Sequence, residues 1–97
     1  MMYLILMEYN LSLLPEDFEE RMKIFRPIME MGEKDLESGE LAMVGVSPDA
    51  GHAFVVSNQD PKTIYTKTQT MAPYVRCEVK PMLSLDEAMD VMKGMQP

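Results

Sequence analysis

The stretch MYLILMEY, residues 2–9, is apolar on both of its sides. In an extended chain successive side chains point to opposite faces, so Tyr3, Ile5 and Met7 lie on one face and Met2, Leu4 and Leu6 on the other. LAMVGV at 41–46 sets Leu41 and Met43 against Ala42, Val44 and Val46, and HAFVVS at 52–57 sets Phe54 and Val56 against Ala53 and Val55. An antiparallel sheet with one face in water alternates apolar and polar residues. These strands do not, so their sheet needs apolar cover on both faces. The 97 residues that must supply it make one domain, residues 1–97, at the small end of what buries a core unaided.

Between the apolar runs lie helix and turn signals. After the loop NLSLLP, Pro15 suits a first helical position, with Glu16 and Asp17 at the positive end of the helix dipole. Phe18, Met22, Phe25 and Met29 recur at helical spacing and are expected to face the core. Pro27 is expected to kink or break that helix near Arg26, and Gly39 to stop it. SPDAG turns the chain between strands two and three, and Asp60-Pro61 caps and starts a second helix. YVRCEVKPM at 74–82 alternates Arg76, Glu78 and Lys80 with Val75, Cys77 and Val79, a fourth strand. Ser84-Leu85-Asp86-Glu87 is a capping box that opens a final helix over 84–95.

The order β-α-β-β-α-β plus a terminal helix predicts an α+β fold: a ferredoxin-like, four-stranded antiparallel sheet with its two helices on one side. Helices on one side leave the other face bare, an apolar patch beyond the ~300–600 Å² a soluble monomer tolerates. A second copy packed about a two-fold axis covers it most simply; the C-terminal helix is the alternative cover.

Composition narrows the partners. A formal net charge of -7 opposes nucleic acid and anionic membranes alike. Cys77 is the sole cysteine, which fits a reducing compartment. The apolar opening lacks the basic stretch and cleavage site of a signal peptide and is too short to span a bilayer, so a cytoplasmic location is expected. Twelve methionines read either as core filler, with Met22, Met29, Met89 and Met92 at core spacing, or as a plastic binding surface.

The element order, with GELAMVGVSPDAGHAFVVSNQDP and YVRCEVKPM, resembles the dimeric α/β-barrel superfamily, which includes muconolactone isomerases, YCII-related proteins and small cofactor-free monooxygenases. It is most similar to an uncharacterised family in which a strand-one Glu, a strand-three aromatic, an Asp-Pro helix start and a final Glu-Val-x-Pro strand recur, here Glu8, Phe54, Asp60-Pro61 and Glu78-Val79-Lys80-Pro81. The resemblance implies two sheets facing each other in a homodimer, with a pocket between sheet and helices or within the shared barrel.

Candidate chemistry is sparse. Glu8 closes an apolar strand, where desolvation makes a carboxylate a usable base; at the strand's end it is equally a solvated residue. His52, the only histidine, is a base or half of a dyad with Asp49, or a hairpin residue with no role. Tyr3, Tyr74, Arg76 and Glu78 are candidate ligand-binding groups; the charges on strand four otherwise guard an edge strand. One His and one Cys make no zinc or iron–sulfur site, although carboxylates alone could hold a hard cation, and no glycine-rich phosphate loop is present, so no metal and no cofactor are expected. The functions that fit are a homodimeric binding protein for a small apolar or aromatic molecule, a cofactor-free isomerase or monooxygenase-type enzyme, or an assembly domain.

Overall fold

A computed structural model describes residues 1–96; residue 97 of the expected domain lies outside the described residues. Strand β1 (Met2–Tyr9) is followed by a single 3-10 turn at Leu11–Leu13 and helix α1 (Phe18–Ser38). Strands β2 (Leu41–Val46) and β3 (His52–Ser57) form a hairpin. Helix α2 (Pro61–Met71), strand β4 (Val75–Met82) and helix α3 (Leu85–Met95) complete the chain. The strands make one open antiparallel sheet in the order β2-β3-β1-β4. The fold is α+β, compatible with the ferredoxin-like arrangement, and β4 is an edge strand.

Local chemistry accounts for the helix ends. Asp17 accepts from the Glu20 amide at 3.0 Å, and Asp60 from the Thr63 amide at 2.8 Å. Ser84 and Glu87 form the reciprocal capping box. Gly39 ends α1 at φ 81°, the left-handed region open to glycine. Two expectations for α1 are corrected. Pro15 lies before the helix, because Asp17 supplies the stronger cap. Pro27 does not break it: α1 runs from Phe18 to Ser38 through the proline, whose exposed position leaves the unpaired carbonyl one turn earlier open to water.

The helices choose one parity of β1. Tyr3, Ile5, Met7 and Tyr9 face them: Ile5 packs with Leu41, Val55 and Ile64, and Tyr9 with Met71 and Val75, backed by Phe25, Ile28 and Met31 of α1. The buried stripe of α1 is therefore rotated from the expected one. Phe18 and Met29 are 70% and 53% exposed, because Ile28 and Met31 take the core side. Met89 and Met92 are exposed as well, so core filling does not account for these methionines.

The opposite face carries Leu4, Leu6, Met43, Phe54 and Val56. The ladders set Leu6 between Phe54 and Glu78, and Leu4 between Val56 and Lys80. Gly45 is opposite Phe54, and a Cβ at Gly45 would sit 2.1 Å from the Phe54 ring; the glycine lets the ring lie flat across β2. No other described element of the chain packs over this face. Helix α3 does not cover it either: none of its side chains is buried, and it points away from the body. The radius of gyration is consequently 16.0 Å, against about 13 Å for a compact domain of this length.

Candidate functional site

A cavity lies between the helix-side face of the sheet and the two helices that cover it. This cavity of about 350 Å³ is walled by Ile5, Met7, Ile28, Val55, Ile64 and Met71 among others. One part of its wall is polar. There Asp35 of α1, only 6% exposed, pairs with Lys67 of α2. Gln59 donates from Nε2 to Asp35 at 3.5 Å and to Glu40 at 3.0 Å, and Glu40 lies 3.7 Å from Lys67. The fully buried Ser57 hydroxyl donates to Gln59 Oε1 at 3.3 Å and accepts from its amide at 3.1 Å. Every buried side-chain polar atom among the described residues has a partner, the condition for keeping such a network in an apolar interior.

Burial alone would push the Asp35 carboxyl up. The hydrogen bond and charge of Lys67, with help from the Gln59 amide, outweigh it and hold the group below the ordinary 3.8. Asp35 is thus an ionised acceptor at the edge of an apolar space. The Tyr9 phenol and the Cys77 thiol are both pushed up, by burial first, so each stays neutral. Cys77 therefore behaves as a small apolar residue.

The sheet divides the residues singled out from the sequence. Tyr3 and Tyr74 lie on the helix side, packed against the two core clusters. Glu8, His52, Arg76 and Glu78 lie on the other face. The register sets Glu8 between His52 on β3 and Arg76 on β4, and Glu8 and Arg76 share a hollow of about 400 Å³ with Asn10 and Leu11. Glu78 pairs along its own strand with Lys80 at 3.6 Å. The Asp49 carboxylate turns to the Ser47 hydroxyl at 2.6 Å and the Gly51 amide at 3.0 Å, which hold it below 3.8. It closes the hairpin turn and forms no hydrogen bond with His52.

The sequence reading passed over Asp35 and Lys67, yet a signal was present. Asp35 continues the stripe Ile28, Met31 of α1, and Lys67 falls between Ile64 and Met71 on α2. A single charge in phase with the apolar stripe of each of two helices, with opposite signs, marks an ion pair beneath them.

Replacing Asp35 by Asn removes the carboxylate and leaves Lys67 without its main partner. The expected loss is about 1–3 kcal/mol at pH 7. Because folding lowers the Asp35 pKa, its contribution is fully present above 3.8 and fades as pH falls through the folded value. The gap between wild type and Asp35→Asn should therefore narrow when urea unfolding is repeated at about pH 3; an unchanged gap would contradict the assignment. Comparison with models of known protein families and with curated proteins finds no match to this chain, so the site has to be understood from its own residues.

Proposed function

We propose that the protein is a homodimer that binds a small apolar or aromatic molecule in the cavity between its sheet and helices. The observation that carries this reading is the cavity itself. Its size of about 350 Å³ falls within the range of small-molecule sites, and its mainly apolar wall with a few convergent polar groups is their usual chemistry. The lining residues Glu33, Asp35 and Lys67 sum to one formal negative charge, so the polar part of the wall favours a ligand that donates a hydrogen bond, a hydroxyl or an amine, over a carboxylate. The homodimer is supported by the apolar face of Leu4, Leu6, Phe54 and Val56, which has no cover in its own chain. Sheet packed on sheet gives that face an interior and makes the shared α/β barrel expected from the sequence.

A chain with its isoleucine, leucine and valine methyls labelled with carbon-13, titrated with 2-naphthol, tests the binding reading. Saturable shifts are expected at the methyls of Ile5, Ile28 and Ile64, with 2-naphthoate binding more weakly. Shifts confined to Leu4, Leu6 and Val56, or none at all, would overturn it.

The second reading is a cofactor-free isomerase or monooxygenase-type enzyme with a carboxylate or histidine base. It is favoured by one observation, the row His52–Glu8–Arg76 across three adjacent strands. Such a base removes a proton from an activated carbon acid while the guanidinium stabilises the enolate that forms. On this reading the protein accelerates deuterium loss from a labelled β-diketone, and Glu8→Gln slows it about a hundredfold or more. Equal rates for the two proteins, followed by NMR, would remove Glu8 from the mechanism.

A further inference from the structure

Helix α3 is amphipathic, and nothing packs on its apolar side. Leu85, Met89, Val91, Met92 and Met95 are between 45% and 78% exposed. An isolated helix of 11 residues is marginal in water, and one capping box adds only about 1 kcal/mol. The helix therefore needs an apolar partner, and the described chain supplies none: α3 is carried outward until the molecule measures 61 × 25 × 24 Å. Its five large apolar side chains offer on the order of 600 Å², close to the about 800 Å² that each partner contributes to a stable interface.

A receiving surface exists along the flank of α1, where the helix meets Tyr9, Val46 and the β2–β3 turn. Phe18, Met22, Phe25 and Met29 recur at steps of four and three, the spacing that seats one helix against another. With Leu11 and Ala50 they wall an open, mainly apolar hollow of about 540 Å³. Arg21 and Arg26 line it, and neither guanidinium has an ion-pair partner among the described residues; Arg21 gives Nε–H to the Pro15 carbonyl at 3.1 Å. Asp49 lies in the same wall with its carboxylate held by Ser47 and Gly51, so in a chain of net charge -7 the two unpaired arginines leave the hollow formally positive and call for an acidic, apolar occupant. Helix α3 has that character, with Asp86 and Asp90 one turn apart beside its stripe and equally unpaired.

We propose that α3 of each copy seats in this hollow of a second copy. Leu85, Met89 and Met92 pack on Phe18, Met22, Phe25 and Met29, and Asp86 and Asp90 come beside Arg21 and Arg26. Methionine on both surfaces suits them, since its flexible thioether adapts to an imperfect fit. The hollow shares Tyr9, Met29 and Val46 with the main cavity, so the exchanged helix also closes one side of the ligand site. That site is then complete only in the dimer. The inference rests on the homodimer proposed above and adds which surfaces meet.

The test uses full-length chains in which Cys77→Ala removes the native thiol. One chain carries Met92→Cys with a nitroxide on it; the other is labelled with nitrogen-15, and the two are mixed. The strongest broadening is expected at the amides of Phe18, Met22, Phe25 and Arg26 in the labelled chain, and a nitroxide at Leu85→Cys repeats the measurement from the other end of the helix. A mixture that sediments as a dimer but broadens only at Leu4, Leu6 and Phe54 overturns the exchange and leaves the dimer standing. A monomeric mixture with no broadening overturns both.

Discussion

The constraint on which the rest depends is that β1 is apolar on both faces and lies inside the sheet, between β3 and β4. Tyr3, Ile5, Met7 and Tyr9 are covered by α1 and α2, and that burial organises the core. Leu4 and Leu6 occupy the other face with Phe54 and Val56 and have nothing above them. A hydrophobic surface that large does not stay in water when a complementary one is available. The chain offers three such surfaces, the bare sheet face, the outer stripe of α1 and the whole of α3. The proposed second copy would cover all three together.

The cavity follows from the same geometry. Helices α1 and α2 meet the sheet through Ile28, Met31, Ile64 and Met71, and between these contacts a space remains. The Asp35–Lys67 pair joins the two helices at one side of it. A buried pair of this kind is weak evidence for stability, because desolvation offsets most of the attraction. Its effect is better seen in position: it ties α1 to α2 at one side of the cavity and gives a mainly apolar wall a charged hydrogen-bonding group.

Much of the fold was legible in the sequence because it was written in local rules. β2 and β3 stand at the expected residues, Asp60 and Ser84 cap the helices they were expected to cap, and Gly39 closes α1. The rotation of α1 was not legible. Phe18, Met22, Phe25 and Met29 form a regular apolar stripe, and so do Phe25, Ile28 and Met31; periodicity cannot say which of two stripes meets the sheet. Pro27 misled because its cost depends on whether the freed carbonyl reaches water. The candidate site was harder still. Glu8, His52 and Arg76 fell into one row through the register of β1 with β3 and with β4, pairings between strands far apart in sequence. Asp35 and Lys67 are far apart in sequence, and only packing brings them together. Each was visible as a charge on an apolar stripe, and their opposite signs were the one sequence signal of the pair.

The claim at the centre of this account is that one chain cannot cover its own apolar surface. Sedimentation equilibrium at micromolar concentration measures that most directly. The account predicts a single species of twice the 11.1 kDa chain mass across the concentration range. A species that stays at the chain mass throughout would contradict it, since two apolar faces and an unpacked helix would then be stable in water alone.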